Sequence, residues 1–373
     1  MRAITVEPGR PQSARLEDVA EPSLSDGAVL VQSLALGICG TDREILSGTY
    51  GSAPSGEHRL ILGHESLGRV LEAPSGSGLK PDDLVVGIVR RPDPVPCSAC
   101  AAGEWDMCLN GRYSERGIKD RHGYGAERFR IEPGFAVKVD ATLGLLGVLL
   151  EPASILAKAW DHTERVGQRL GDWRPRTLLV TGAGPIGLLA ALMGAQRGLD
   201  VHVLDHPFEG AKAELVKDLG GSYSADISDL DHRQPDILME CSGAPALMPE
   251  VLARTAPAGI LCLVGVTAPG HDFKLDIGRI CRTLVLDNHT IFGTVNANRR
   301  HYELGAQVLA RADRAWLRRL LTRQVPITQW EEATRHCADD IKVVIEFDTC
   351  GKAGGDALVE AAVGSSTYAA LPP

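Results

Sequence analysis

At 373 residues, with 44% hydrophobic and 23% charged side chains, the chain is long enough for two domains and apolar enough to bury a sizeable core. Its net charge of −9 argues against a general nucleic-acid role, because phosphate binding asks for a basic surface. Nine cysteines behind an N-terminus, Met1–Pro8, that has no apolar run of signal length read as reduced thiols or metal ligands and exclude a disulfide frame. We therefore expect a cytoplasmic protein. The Leu143–Leu150 run is apolar but short, and no stretch is expected to reach the roughly 18–20 apolar residues that span a bilayer.

The first third is rich in Gly and Pro and carries short alternating runs. Val29–Leu34 and Leu84–Val89 read as strands, separated by turn signals at Pro74-Ser75-Gly76 and Lys80-Pro81-Asp82-Asp83. That is the texture of an irregular β-rich domain. Within it stand Cys39, His64, Glu65 and, at its end, Glu151. Cys, His and carboxylate all suit zinc, and a catalytic zinc keeps one position open for water or substrate.

The texture changes near residue 150, where strands and helices begin to alternate. A strand at Arg176–Thr181 precedes a helix over about Pro185–Arg197, a strand at Val201–Leu204, a helix at Ala211–Leu219, and strands at Ile237–Met239 and Ile260–Val264. Continuous apolar strands alternating with helices predict a parallel sheet covered on both faces, a doubly wound α/β unit. The turn Gly182-Ala183-Gly184-Pro185-Ile186-Gly187 carries G-x-G-x-x-G between strand and helix, the setting that a dinucleotide fingerprint requires. Gly182 allows the tight turn and Gly184 the approach of a pyrophosphate. Gly187 allows close helix packing, and Pro185 and Ile186 open the helix whose N-terminus faces phosphate. Asp205, 18 residues after Gly187, suits the adenosine ribose hydroxyls and disfavours an added 2′-phosphate. NAD is therefore the expected cofactor, with NADP still within reach. After residue 309 the pattern loosens. A late strand is expected at Ile341–Phe347, and the tail 351–373 reads as flexible.

Gly37-Ile38-Cys39-Gly40-Thr41-Asp42, Gly63-His64-Glu65 and the nucleotide fingerprint together resemble the zinc-dependent medium-chain alcohol dehydrogenase superfamily, from residue 1 to about 349. The resemblance implies a GroES-like catalytic domain, residues 1–157 with a return segment at 310–350, and a Rossmann domain at 158–309. It implies Zn2+ held by Cys39 and His64, with Glu65 able to enter its shell and Glu151 associated with the same ion. Thr41 is implied to bond the substrate oxygen and start a proton relay. Many members also carry a four-cysteine structural zinc lobe. Cys97, Cys100 and Cys108 match three of its places, but the remaining one falls on Pro94, which leaves Asp93, Glu104 and Asp106 as nearby carboxylates.

Val89–Pro92, Asn110–Lys119 and Phe292–Asn298 resemble the glucose dehydrogenase branch. There Glu115 is implied to bond sugar hydroxyls, and Asn296 to lie near both nicotinamide and sugar. The expected activity is hydride transfer from a hydroxyl of an aldose or cyclic polyol to NAD(P), in a homodimer or homotetramer with no nucleic-acid or membrane partner. The competing expectations are an open-chain polyol or amino-alcohol dehydrogenase of the same superfamily and a non-catalytic nucleotide sensor. A sensor would have no use for an open metal site.

Overall fold

Two sheets of different kind organise the computed structural model, which describes residues 1–206, 209–230, 234–267 and 276–348. Residues 351–373, expected as a flexible tail, lie outside the described residues.

The first sheet centres on the strand Val29–Ile38, whose residues alternate between buried and half-buried before becoming fully buried towards Ile38. It pairs antiparallel with Glu65–Glu72 on one side and with Lys342–Glu346 on the other. The sheet order is Ala136–Lys138, Leu84–Gly87, Glu65–Glu72, Val29–Ile38, Lys342–Glu346, Leu321–Pro326, with Arg128–Ile131 also pairing to Val29–Ile38. The last strand of the described chain thus returns to the first sheet and sets Val344 opposite Gly37. Leu321–Pro326 was not legible as a strand. Only Leu321 and Val325 of its six residues are buried, so it shows little apolar pattern.

The second sheet is wholly parallel. Its strands Thr177–Thr181, Asp200–Leu204, Ser222–Ser224, Ile237–Glu240, Ile260–Leu263 and Thr290–Gly293, taken first to sixth along the chain, lie in the order 3-2-1-4-5-6. This is the doubly wound nucleotide-binding order, and it opens a crevice at the carboxyl end of the first strand, where the order reverses. The helix Pro185–Gln196 follows that strand.

The helix Leu150–Gly167 lies between the two sheets. Its Leu150, Leu156, Ala159 and Trp160 belong to one apolar cluster that runs from Ala35 and Leu67 of the first sheet to Leu178 and Val180 of the second. Here one expectation needs correction. The helical run Ala141–Leu170 is long and apolar enough, by length and composition alone, to cross a membrane. But 72% of its apolar window is buried inside the protein, and Glu151 and Lys158 sit on it as buried charges, so its hydrophobicity serves the core.

Candidate active site

The strand Val29–Ile38 ends by delivering Cys39 as the residue that starts the helix Gly40–Leu46. The neighbouring strand Glu65–Glu72 begins directly after His64. Register does the rest. Gly37 lies opposite Glu65, and a Cβ at Gly37 would stand 2.1 Å from the Glu65 Oε2 atom. The glycine therefore makes the space that the carboxylate occupies. One ligand atom each from Cys39, His64 and Glu65 lies within 4.8 Å of the others, and Cys39 Sγ is 3.1 Å from His64 Nε2.

Asp42, fully buried, aims both donors. Its Oδ2 accepts the Cys39 N–H at 2.9 Å, and its Oδ1 lies 3.4 Å from His64 Nδ1. A carboxylate behind the distal nitrogen of a ligating histidine fixes ring orientation and tautomer. Burial works against charge on His64, but Cys39 and Asp42 outweigh it and raise its pKa well above the usual value. Burial likewise pushes Asp42 up, and the His64 charge and the Cys39 amide more than reverse that. A cluster that draws a proton this strongly also suits a cation. The soft, borderline and hard donors together fit zinc.

Glu65 has a second partner that the sequence did not reveal. Lys342, on the returning strand, places Nζ 2.7 and 2.6 Å from its two oxygens, with both side chains buried. Glu151 lies in the first turn of Leu150–Gly167, also buried. Burial, together with the negative charges of Glu65 and Asp42, lifts its pKa to about 7 against the pull of His64 and Lys342. It adjoins the three donors electrostatically but is not part of the group that converges within 4.8 Å. Thr41 is the second residue of Gly40–Leu46 and is half-buried.

The sugar-facing pair expected at Glu115 and Asn296 is brought into direct contact. Asn296 Nδ2 donates to Glu115 Oε1 at 2.6 Å across 181 residues of sequence. Arg90 Nε and Nη2 donate to the same oxygen at 3.1 and 2.9 Å, and the Arg90 guanidinium stacks 3.7 Å over the Tyr113 ring. The turn that follows Glu115 packs against the peptide preceding His64, since a Cβ at Gly117 would stand 2.3 Å from the Gly63 carbonyl oxygen. The Glu115 turn and the strand end that carries His64 are therefore joined through their backbones.

In the nucleotide turn, a Cβ at Gly187 would lie 1.7 Å from the Gly182 carbonyl oxygen, whereas nothing stands within 4 Å of one at Gly184. Gly187 is required by packing, and Gly184 faces open space at the helix N-terminus, where Pro185 is the first helical residue. That is the shape a pyrophosphate needs. Asp205 uses Oδ2 to accept the Ala183 N–H at 2.9 Å, which ties the ribose-side carboxylate to the fingerprint itself. Lys212 Nζ lies 3.5 Å from the same oxygen. Lys212 stands in the first turn of the helix Ala211–Asp218 and was not singled out in the sequence.

Cys97, Cys100 and Cys108 also converge within 4.8 Å. The Cys100 and Leu109 amides donate to Cys97 Sγ at 3.5 and 3.3 Å and draw its pKa down to about 6, while burial lifts Cys100 to about 11. Among the described residues no carboxylate joins this set within 4.8 Å, and the three nearby ones are engaged elsewhere. Asp93 accepts from Val95 N–H and Asn110 Nδ2, Glu104 from Asn298 and Arg300, and Asp106 pairs with Lys158. A third group, Asp161, His162 and His301, shares the 4.8 Å criterion. There His301 Nδ1 accepts the Asn298 N–H at 3.2 Å as a helix cap, which leaves the ring proton on Nε2, 3.5 Å from Asp161 Oδ2.

The family described as "Alcohol dehydrogenase GroES-like domain" matches residues 25–141, and the one described as "Glucose dehydrogenase C-terminus" matches residues 144–347. The chain is 39% identical over 352 residues to glucose 1-dehydrogenase 2 of Vulcanisaeta moutnovskia, covering 93% of this chain and 99% of that protein. It is 39% identical over 355 residues to glucose 1-dehydrogenase of Thermoproteus tenax, covering 94% and 100%. Among solved structures, Haloferax mediterranei glucose dehydrogenase in complex with NADP, Zn and gluconolactone superposes with a TM-score of 0.85 at 31% identity, covering 94% of this chain and 100% of that one.

Proposed function

The chain belongs to the glucose dehydrogenase branch of the zinc-dependent medium-chain alcohol dehydrogenases, and from that premise we propose that it oxidises an aldose, glucose or a close relative, at a ring hydroxyl. It is a zinc-dependent, NAD(P)-dependent oxidoreductase acting on sugar. The observation that carries the aldose reading is the Asn296–Glu115 contact at 2.6 Å, with Arg90 behind it. Buried polar groups set for a hydroxylated ring discriminate strongly against substrates lacking those hydroxyls.

Bound zinc supplies Lewis-acid polarisation of the substrate oxygen, and the nicotinamide ring accepts the hydride. The rest falls to this chain. Cys39 and His64 hold the metal, oriented by Asp42, with Glu65 and Glu151 in or beside its shell. The Thr41 hydroxyl takes the substrate proton and passes it towards solvent. Gly182, Gly184, Pro185, Ile186 and Gly187 seat the pyrophosphate, and Asp205 the ribose. Glu115 and Asn296 hold the sugar in line for transfer. We divide the chain accordingly, with residues 1–157 and 310–350 as the catalytic unit and 158–309 as the nucleotide unit. Limited proteolysis that cuts first inside either unit opposes this division.

The test is a panel of aldoses, cyclitols and open-chain polyols, followed by reduced-nicotinamide absorbance. An aldose should be the best substrate. Glu115→Ala should raise its KM by roughly tenfold to a hundredfold, the worth of a hydrogen bond to a charged group. An open-chain polyol that outperforms every aldose, with KM unmoved in the variant, would replace the proposed substrate.

Cofactor choice follows from Asp205 and Lys212. The carboxylate repels a 2′-phosphate, and the lysine offsets part of that repulsion, so NAD should be favoured by about tenfold in kcat/KM. Asp205→Asn should erase or reverse the preference. Wild-type enzyme that favours NADP would show that Lys212 outweighs the carboxylate.

For the cysteine lobe we propose a weaker zinc held by three thiolates. Mass spectrometry should count two zinc ions per chain. A mild chelator, or Cys97→Ser, should remove one of them while aldose turnover persists. A count of one that Cys97→Ser leaves unchanged means that the lobe is empty, and Pro94 is then the reason.

We further read a homodimer or homotetramer. The helix Ile277–Leu286 exposes Ile277, Val285 and Leu286, and the neighbouring strand Thr290–Gly293 is an open sheet edge. Light scattering that returns a monomer mass removes this reading. The eight described cysteines stand outside disulfides, which suits the cytoplasm, and cell fractionation checks that placement.

A further inference from the structure

Asn296 takes a left-handed backbone in a turn whose N-terminal side lies exposed. Its φ is +62°, in the left-handed region, and the preceding Val295 turns its side chain outward, 56% exposed. Val295 therefore adds no apolar anchor, and the packing begins only at Ala297, 1% exposed, whose N–H the Asn296 Oδ1 atom accepts at 2.9 Å. A buried cation holds the Val295 side. Lys158, 1% exposed, donates from Nζ to the Val295 carbonyl oxygen at 2.9 Å.

Lys158 is itself held. Its Nζ lies 2.8 Å from Asp106 Oδ2, with both side chains buried. Asp106 also offers its main-chain carbonyl oxygen to Arg90 Nη1 at 2.9 Å, and Arg90 grips Glu115 Oε1 with Nε and Nη2. Glu115 Oε1 then meets Asn296 Nδ2. The contacts close into a ring, Lys158 to Asp106 to Arg90 to Glu115 to Asn296 and back through the Val295 carbonyl. Six residues drawn from both halves of the chain meet in it. Lys158 also stands seven residues after Glu151 on the helix Leu150–Gly167, two turns on and so on the same face, about 10 Å along the axis. One rigid element thus sets the spacing between the zinc-side carboxylate and the sugar-side loop.

We propose that Lys158 is a positioning residue for the sugar. It clamps the Val295 carbonyl so that Asn296 presents its amide to Glu115, and Asp106 compensates and aims the lysine. The reason is energetic. A lysine taken out of water is costly unless paired, and a neutral side chain here would leave the Val295–Asn296 peptide free to relax from its left-handed conformation. The cation and its partner fix the Val295 side of a turn whose other side is held at Ala297. This inference rests on the aldose reading only for which substrate feels the effect.

The test uses the full-length holoenzyme carrying Lys158→Met together with Asp106→Asn, which removes both charges at once and leaves neither buried ion unpaired. A crystal structure and steady-state kinetics are read together. Asn296 should leave the left-handed region or lose its contact with Glu115. KM for the best aldose should rise at least tenfold, with kcat changed less than threefold and the cofactor dissociation constant unchanged. The preference for that aldose over its deoxy analogue lacking the contacted hydroxyl should fall at least tenfold.

Asn296 retained in place overturns the proposal, as does undiminished discrimination with Asn296 displaced. So does an equal loss of cofactor and sugar binding, which marks a general loosening of the cleft. If the wild-type enzyme oxidises no aldose, the substrate reading fails while the position of Asn296 still decides the clamp. If the double variant does not fold, Lys158→Gln, which keeps a donor on a side chain one bond shorter, should show the same KM rise in weaker form. An unchanged KM in that variant overturns the clamp.

Discussion

Cys39→Ser is expected to lower aldose turnover by about a thousandfold or more while leaving NAD(P) binding within about twofold of the wild type. Lewis-acid stabilisation by a catalytic metal is worth several kcal/mol, and each 1.36 kcal/mol is a factor of ten in rate. A serine hydroxyl is a far poorer zinc ligand than the thiolate that stands 3.1 Å from His64 Nε2. His64→Ala should do the same, because it leaves Asp42 behind an empty ring position. The cofactor should be spared because Gly182–Gly187 forms the turn and helix start after the first strand of the parallel sheet, whereas Cys39 and His64 stand at the ends of antiparallel strands in the other sheet. Fluorescence titration with NAD(P)H and turnover assays on each variant read the two effects separately. A Cys39→Ser enzyme that keeps above a tenth of wild-type turnover contradicts the assignment.

Lys342→Met should produce the largest loss of stability among single substitutions at the site. The Lys342–Glu65 pair is 2% and 3% exposed, and removing one member of a buried pair costs about 3–5 kcal/mol because the other charge is stranded. The penalty is aggravated by neighbours of like sign, since Glu151 and Asp42 face the same space. In the metal-stripped protein the melting temperature should fall by roughly 4–6 °C, with the chain unfolding as one unit. Zinc should then raise it more in the variant than in the wild type, because the metal would be the remaining compensating cation for Glu65. Equal melting temperatures for the two stripped proteins would show that Glu65 does not depend on Lys342.

These two residues mark what the sequence made legible and what it did not. Cys39, His64 and the glycines at 182, 184 and 187 stand in short contiguous motifs, where local geometry and chemistry are encoded together. Glu115 and Asn296 were found by resemblance, and their separate readings did not foretell that they touch. Asp42 stood inside a quoted motif, yet its role depends on a side-chain direction that only the capped helix fixes. Lys342, Lys158 and Arg90 were missed for one physical reason. A buried ion pair joins residues as far apart as Glu65 and Lys342, and a lysine in a strand or helix reads as a surface residue until its partner is placed beside it. The parallel sheet follows from alternating elements, but its strand order and the pairing of Lys342–Glu346 with Val29–Ile38 depend on long-range register, which has no local signal. The cysteine lobe errs the other way. Three thiols did converge, while Asp93, Glu104 and Asp106, each near in sequence, proved to be committed to Asn110, Arg300 and Lys158.

Aldose oxidation is expected to depend on a metal held by Cys39 and His64. Its most direct measurement is a zinc titration of the metal-stripped wild-type enzyme, with aldose-dependent NAD(P)H formation recorded against zinc bound. The stripped enzyme should be inactive. Activity should return in proportion to zinc bound at the Cys39 site, level off when that site holds one equivalent, and fail to return in Cys39→Ser. Full aldose oxidation by the stripped enzyme would contradict it.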